Sequence, residues 1–345
     1  MENLLLIGGA GFTGRHIIDA WLRSASHQVT VLDSGVSHAG MTRMTDLAAS
    51  GRITLIQDDA RDRGRLEELF TTDTFSQVVQ LCTGIQRGPA EVARREALDS
   101  MARGTQYLVE CMAEYATGIR LTQLVSTAPW GDQPDRAVKH GVSVRPASLM
   151  GVAESIAMEV GLGLGRELDV PCQVMVAPLA FGAHQIQGPL AEFIMSILEG
   201  DGHPVSSQKL EWRLIYGPDL AERLTHALIH PPVGDVIRLP GLQGIQWGAL
   251  TQTIAELLQR FSLANPALKA RFPNADWVWR GSLQETYHPG WPEVVLGGAG
   301  AIELPETPWP TALADTLRWY LSNSEQWRPK RQRIQEQTQT FAPAM

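Results

Sequence analysis

Short apolar runs alternate with amphipathic stretches over about the first 180 residues of the chain. The runs are nearly continuous in apolar residues, which is typical of strands that a parallel sheet buries on both faces. The stretches between them have the length and the apolar spacing of helices, so a strand–helix order repeats. The pattern predicts strands over residues 4–8, 29–33, 53–57, 78–82, 121–126 and 174–178, and helices over 12–24, 63–70, 90–115 and 148–168.

The pattern loosens after about residue 180, where glycine, proline and tryptophan become frequent. Further helices are predicted over 190–199, 219–229, 249–261 and 310–321. We therefore expect an α/β protein with a Rossmann-type, doubly wound parallel sheet and a smaller C-terminal α/β lobe for the substrate. Residues 1–180 form the predicted sheet domain, to which later segments return; 181–327 form mainly the substrate lobe, and 328–345 form a polar tail that frays.

Composition and charge narrow the class of protein. The 345 residues carry a net charge of −8 with a pI of about 5.6, which does not favour nucleic-acid binding. The sequence contains no run of about 18 apolar residues, so no membrane span is predicted. Cys82, Cys111 and Cys172 are widely spaced in apolar runs and are interpreted as reduced thiols. The first predicted strand begins by Leu4, which leaves no room for a signal peptide. We expect a cytoplasmic protein without a metal site.

A glycine loop joins the first predicted strand to the first predicted helix. Gly8, Gly11 and Gly14 follow a G-x-x-G-x-x-G spacing, and Gly9 with the last two also satisfies G-x-G-x-x-G. Missing side chains let backbone N–H groups approach a pyrophosphate, and the helix N-terminus faces its negative charge. The loop therefore predicts a dinucleotide site in the sheet domain. The predicted contacts from this loop are Gly8, Gly9, Gly11, Phe12, Thr13 and Gly14.

One acidic residue favours NAD over NADP as the cofactor. Asp33 ends the second predicted strand, 33 − 14 = 19 residues after Gly14, about the separation expected of the acid that holds the adenosine ribose hydroxyls. Its carboxylate would repel a 2′-phosphate, so we expect NAD. Ser34, His38 and Arg43 follow in the next loop and leave NADP as the second choice.

The chain resembles the extended short-chain dehydrogenase/reductases, the branch that includes nucleotide-sugar epimerases and dehydratases. Besides the glycine loop, the resemblance runs through residues 58–62, 81–83, 104–105, 177–182 and 212–216. It implies an NAD-dependent oxidoreductase or epimerase/dehydratase that acts on a small-molecule substrate, and a homodimer formed by the helices at 90–115 and 150–168. It also implies cofactor contacts from Asp59, Ala60, Leu81, Cys82, Thr83 and Pro178.

Two positions depart from the usual active site of that family. Its members usually carry Tyr-x-x-x-Lys on the helix after the fifth strand, where the four-residue spacing places both side chains on one face. Here Met150 stands at the tyrosine position and Glu154 at the lysine position. A thioether has no proton to donate, and a carboxylate raises the pKa of a neighbouring acid instead of lowering it. The usual proton relay is therefore missing.

A replacement acid or base must come from elsewhere in the site. The resemblance places the active-site hydroxyl at Ser126, with Thr127 as the second candidate. Glu154 fits the role of acid or base if burial raises its pKa. The catalytic candidates are Ser126, Thr127, Met150, Glu154, Lys139, His140 and His184.

Three accounts of function stay open at the level of sequence. The chain is an active enzyme with a substitute acid or base, or a non-catalytic NAD-binding regulatory or interaction protein, or a redox enzyme whose substrate, such as an imine, needs no tyrosine. The tryptophans and the few charges of the second lobe favour a small, ring-bearing or moderately apolar substrate. A nucleotide sugar would need arginine or lysine there, and Arg213, Arg238, Arg271 and Arg280 keep that alternative open.

Overall fold

The computed structural model describes residues 2–35, 44, 47–49, 51–82, 90–131, 138–139, 144–201, 211–275, 296–297, 302 and 304–340. The chain divides into two compact units. The first unit comprises Met1–Pro178, Pro218–Pro240 and Val294–Leu304, and the second comprises Leu179–Gly217, Gly241–Glu293 and Pro305–Met345. Among the described helices, none is long and apolar enough to cross a membrane.

The secondary structure alternates strands and helices in the first unit. The strands in chain order are β1 (Glu2–Ile7), β2 (His27–Asp33), β3 (Ile53–Gln57), β4 (Gln77–Leu81), β5 (Leu121–Val125), β6 (Val138–Lys139), β7 (Cys172–Val176), β8 (Leu179–Phe181), β9 (Glu211–Tyr216), β10 (Val236–Arg238), β11 (Leu242–Gln246) and β12 (Leu296–Gly297). The helices are α1 (Phe12–Trp21), α2 (Arg63–Thr72), α3 (Ala90–Asp99), α4 (Thr105–Tyr115), α5 (Leu149–Glu167), α6 (Pro189–Glu199), α7 (Gly217–Ile229), α8 (Trp247–Ala264), α9 (Ala267–Arg271), α10 (Trp309–Ser322) and α11 (Ser324–Thr340).

The main sheet of the first unit has seven strands in the order β10-β7-β5-β4-β1-β2-β3, and every pairing in it is parallel. The chain winds outward from β1 in one direction and then from β4 in the other, so the strand order reverses between β1 and β4. The predicted doubly wound sheet is thus confirmed. Open α/β sheets bind their ligands at the carboxyl ends of the strands, beside this reversal point.

The strands of the main sheet are buried because helices cover both faces. Leu4, Leu5 and Leu6 of β1 have no exposed surface. Two apolar clusters pack β1, β5 and β7 against α2, α4 and α5 on one face. The full burial of Leu4 and Leu6, which point to the opposite side of β1 from Leu5, shows that the other face is covered too. This burial explains why the sequence shows continuous apolar runs instead of alternation.

The helix predicted over 90–115 is interrupted at its centre. A π-helical turn, Ser100–Gly104, separates α3 from α4. The wider turn accompanies a buried hydrogen bond from the Gln80 amide to the Thr105 hydroxyl at 2.9 Å, and a Cβ on Gly104 would lie 3.6 Å from that of Ala60. Such turns often occur where a helix adjusts to a specific contact. The single regular helix of the prediction is therefore wrong at this point.

The second unit contains a three-stranded sheet, in which β9 pairs in parallel with β8 and antiparallel with β11. The polar stretch after residue 327, predicted as a fraying tail, is helical to Thr340. Arg328 forms an ion pair with Glu199 at 2.7 Å, and Arg331 forms one with Asp201 at 2.6 Å. The buried Trp327 precedes these two arginines and anchors the start of the helix, from which the polar stretch continues.

Candidate active site

Two glycines of the loop after β1 are required by close approaches of the backbone. Gly8 adopts a positive φ of 76°, and its N–H donates to the carbonyl of Leu32 at 2.8 Å. A Cβ on Gly14 would lie 2.0 Å from the carbonyl oxygen of Gly9, which no side chain tolerates. The glycine spacing in the sequence therefore reflects a tight strand–turn–helix connection at the carboxyl end of β1.

The N-terminus of α1 has the features of an anion site. Gly11 is the N-cap residue, and no side chain caps the helix. A Cβ on Gly11 would meet no atom within 4 Å, so there is open space in front of the first turn. Phe12 and Thr13 begin the helix with partly buried side chains. The uncapped N–H groups and the open space fit a dinucleotide pyrophosphate.

Asp33 ties the end of β2 to the glycine loop. One carboxylate oxygen accepts a hydrogen bond from the N–H of Ala10, and the other accepts one from the N–H of Gly35, both at 3.0 Å. Each oxygen keeps a further lone pair, so the carboxylate can still accept from two adjacent ribose hydroxyls.

The segment after β3 carries an ion-pair cluster that the sequence did not indicate as such. Asp59 and Arg61 pair at 2.7 Å, and Arg61 also reaches Glu96 at 2.6 Å and Asp99 at 3.1 Å. Burial alone would raise the pKa of Asp59, but the hydrogen bonds from Arg61 hold it below its usual value. The Asp59 side chain therefore fixes this segment, with Ala60 packed near Gly104.

Ser126 and Glu154 are in direct contact. Ser126 follows β5, and Glu154 lies in the second turn of α5. The Oε2 atom of Glu154 accepts two hydrogen bonds from Ser126, one from its N–H at 2.8 Å and one from its hydroxyl at 2.7 Å. The Ser126 oxygen in turn accepts from the N–H of Ala128 at 3.0 Å. The hydroxyl proton of Ser126 is therefore directed at the carboxylate.

Glu154 is an isolated carboxyl group in an apolar environment. Its side chain is 0% exposed, and its Oε1 atom has no hydrogen-bond partner in the described part of the chain. Burial raises the pKa of Glu154 to about 7, although the two bonds from Ser126 lower it. Burial and the nearby Glu154 also raise the pKa of the Cys82 thiol, which therefore stays neutral. Glu154 is thus poised to gain or lose a proton near neutral pH.

The backbone around this pair explains how the carboxylate reaches the serine. Ser148 caps α5 by accepting from the N–H of Gly151 at 3.1 Å. A Cβ on Gly151 would lie 2.3 Å from the carbonyl oxygen of Ala128, so glycine lets the helix approach the short helical turn Ala128–Trp130. Thr127 and Met150 flank the contact and are partly buried.

The other predicted site residues are placed as follows. Leu81 and Cys82 are buried at the carboxyl end of β4, and Pro178 follows β7. Thr83 and His140 lie outside the described residues, and Lys139 is described only as part of β6. His184 belongs to the second unit, has a positive φ of 69° and packs its ring 4.9 Å from that of Trp319. The predicted cofactor contacts of Leu81, Cys82, Thr83 and Pro178 stay predictions, and so do the predicted catalytic roles of Lys139, His140 and His184.

A buried amide network supports the site and was missed from the sequence. Gln123 donates to Gln80 and to the carbonyl of Ala157 on α5, both at 2.9 Å. Gln80 donates to Thr105 on α4. The signal was available, because a glutamine in the middle of each apolar strand must find partners in the core.

The chain matches the model of the "NAD dependent epimerase/dehydratase family" over residues 4–238. Among curated proteins, it is 23% identical to a dTDP-glucose 4,6-dehydratase of Neisseria gonorrhoeae over 341 residues, covering 93% of this chain and 96% of that protein.

Two solved structures show the same fold. A dTDP-glucose 4,6-dehydratase of Streptomyces venezuelae with NAD bound superposes with a TM-score of 0.76 at 20% identity, covering 95% of this chain and 99% of that one. A UDP-glucuronic acid 4-epimerase of Bacillus cereus in complex with NAD gives a TM-score of 0.73 at 16% identity, covering 93% and 99%.

Proposed function

Because the chain belongs to the NAD dependent epimerase/dehydratase family, we propose that it is an NAD-dependent enzyme in which Ser126 and Glu154 together move the proton that accompanies hydride transfer. Family membership confirms the predicted resemblance, the enzyme class and NAD as the cofactor. The contact between the Ser126 hydroxyl and the buried Glu154 carboxylate is the observation that carries the proposed mechanism.

The cofactor site is assigned to residues at the carboxyl ends of the strands. The backbone of the glycine loop and the N-terminus of α1 would hold the pyrophosphate, and Asp33 would hold the adenosine ribose. Leu81, Cys82 and Pro178 lie at the carboxyl ends of β4 and β7, the strands on either side of β5, where the nicotinamide half would lie. When bound, NAD supplies hydride acceptance and donation at its nicotinamide ring.

Glu154 has access to a substrate only through Ser126. The carboxyl group has no exposed surface, whereas Ser126 is partly exposed. With Glu154 ionised, the Ser126 hydroxyl donates to Glu154 and accepts from Ala128, which leaves one lone pair to accept from a substrate hydroxyl. Substrate oxidation would then pass the substrate proton to Ser126 Oγ as the serine proton moves to Glu154. Reduction of a carbonyl would reverse both transfers.

The proposed substrate is a small organic alcohol or carbonyl compound with a ring or a moderately apolar body. The support is Met150, which presents a thioether where relatives usually have a phenol, and so offers apolar contact in place of a proton donor. A nucleotide sugar is the second candidate, because the similarity to a dTDP-glucose 4,6-dehydratase covers 93% of this chain. In both cases the relay acts on an oxygen of the substrate.

The proposal is tested first by cofactor binding. We expect NADH to give saturable energy transfer from tryptophan to the nicotinamide, with weaker binding of NADPH. Gly14→Ala should abolish the transfer because its Cβ would overlap the carbonyl oxygen of Gly9. Gly64→Ala is the matched control, since a Cβ there makes an ordinary contact of 3.4 Å. Binding that survives Gly14→Ala unchanged would contradict the assigned site.

An activity assay then distinguishes the proposed enzyme from an NAD-binding regulatory protein. With NAD present, ring-bearing alcohols and nucleotide sugars are assayed by NADH absorbance, and by NMR for products formed without net redox change. Turnover of either group supports the proposed enzyme and identifies its substrate class. NADH binding without turnover of any compound would favour the alternative of an NAD-binding regulatory protein.

We also propose that the protein is a homodimer formed through α4 and α5. Four glycines lie in α5, and internal contacts explain three: a Cβ would meet Ala128 at Gly151, Gln123 at Gly161 and Cys172 at Gly165. A Cβ on Gly163 would meet nothing within 4 Å. A glycine costs about 0.5–1 kcal/mol relative to alanine inside a helix, so a close approach by a second copy would account for Gly163.

Sedimentation measures this directly. We expect a dimer at micromolar concentration, weakened by Gly163→Ala, whose Cβ would obstruct the close approach, and dissociated by Gly163→Glu. A wild-type protein that sediments only as a monomer would refute the dimer without affecting the proposed chemistry.

A further inference from the structure

A cavity of about 490 Å³ lies in the first unit at the amino ends of β5, β7 and β10. Arg120 lines it and immediately precedes β5, whereas Ser126 follows the same strand, so the cavity and the active site are at opposite ends of the sheet. Its volume lies within the range of small-molecule sites. Apolar parts of the wall are Leu162, Val170, Pro171, Pro231 and Pro232.

Gln173 ties two segments of this wall together. Its side chain is 3% exposed, and its amide nitrogen donates to the carbonyls of Pro232 at 3.0 Å and Gly234 at 2.8 Å. These two bonds fix which end of the amide is nitrogen. The oxygen, Oε1, is buried and has no donor in the described part of the chain.

The charges of the wall are only partly neutralised. Arg166 and Asp235 form an ion pair at 2.8 Å and balance each other. Arg120 and Asp169 have no ion-pair partner among the residues that the structure describes. Asp169 is also one of two described non-glycine residues with a positive φ, at 58°, a conformation that costs energy in an L-residue. The cavity therefore offers one unmatched cation and one unmatched anion beside its apolar wall.

We propose that this cavity binds a small zwitterion with an apolar body, of the kind represented by an apolar amino acid. Its carboxylate pairs with the Arg120 guanidinium, which suits a planar anion. Its ammonium group pairs with the Asp169 carboxylate. The apolar body packs on the prolines and on Leu162. This site is independent of the proton relay, because none of these residues belongs to the active site.

Three probes with a common phenyl ring separate the contributions of the two charges. Binding of L-phenylalanine, phenylacetate and 2-phenylethylamine to the full-length protein is measured by calorimetry. We expect L-phenylalanine to bind about tenfold more tightly than either singly charged probe, because each charge-assisted hydrogen bond contributes about that factor.

Variants then locate the binding. Arg120→Gln and Asp169→Asn should each weaken phenylalanine binding about tenfold, and asparagine tolerates the left-handed backbone at 169. Arg23→Gln is the control, since it removes an exposed ion pair outside the cavity. Thermal unfolding of each variant checks the fold. Any of three results would overturn the proposal: phenylalanine fails to bind at millimolar concentration, it binds both cavity variants as tightly as it binds wild type, or phenylacetate binds as tightly as phenylalanine.

Discussion

Replacing Glu154 with glutamine is expected to lower kcat/KM by about 10²–10⁴-fold, the usual cost of losing a positioned acid or base. Glutamine has nearly the same shape as the carboxyl group and can still accept the two hydrogen bonds from Ser126. It cannot take up the proton that the serine would release. NADH affinity should therefore stay unchanged while the chemical step is lost.

Further variants distinguish this loss of activity from a structural effect. One lies on the same helix, and another lies in the proposed Ser126–Glu154 proton relay. Glu159→Gln changes an exposed carboxylate of α5 and should keep full activity. Ser126→Ala should lose as much activity as Glu154→Gln, and the double variant should lose no more, because residues that act as one unit are not additive. Full activity of Glu154→Gln, or additive losses, would contradict the relay.

A second readout does not depend on knowing the substrate. Infrared difference spectra between acidic and alkaline pH should show the carbonyl band of a buried protonated carboxyl group, titrating near pH 7. The band should be absent in Glu154→Gln and present in Glu159→Gln. A wild-type spectrum without such a titration would show that Glu154 does not change its protonation state where the relay needs it.

The sequence predicted the parts of the fold that depend on local rules. Continuous apolar runs gave the central strands, and the glycine spacing marked the turn where Gly14 touches the backbone of Gly9. The π-helical turn at Ser100–Gly104 could not be predicted, because it accompanies contacts with Gln80 and Ala60, which come from distant parts of the chain. Periodicity alone describes a helix without its tertiary neighbours.

The sequence likewise predicted some features of the candidate site and missed others. Position within a motif marked Met150 and Glu154 as departures and predicted Ser126, with Thr127 as the second candidate, as the active-site hydroxyl. Neither the bond between Ser126 and Glu154 nor the full burial of that carboxyl group could be read from spacing, since both depend on how closely α5 packs on the turn after β5. Gly151, which permits that approach, resembles any other helix glycine in the sequence.

The buried carboxyl group should also make the protein less stable as the pH rises. The pKa of Glu154 is about 7 in the folded chain against an ordinary value of 4.5, so the unfolded chain loses this proton first. Its contribution to stability is fully present below pH 4.5 and is lost as the pH rises to about 7. The difference in pKa corresponds to about 3 kcal/mol of unfolding free energy.

Glu154→Gln should remove this pH dependence, because the amide stays neutral throughout. Urea unfolding between pH 5 and pH 9 is expected to show the variant close to wild type at the acidic end and about 2–3 kcal/mol more stable at the alkaline end. Other carboxyl groups titrate alike in both proteins, so they cancel in the difference, and Glu159→Gln should follow wild type at every pH. A difference between Glu154→Gln and wild type that does not change with pH would mean that Glu154 ionises normally. A variant that gains stability while losing activity would show that the isolated carboxyl group is retained for chemistry, since a residue kept for folding alone would not oppose it.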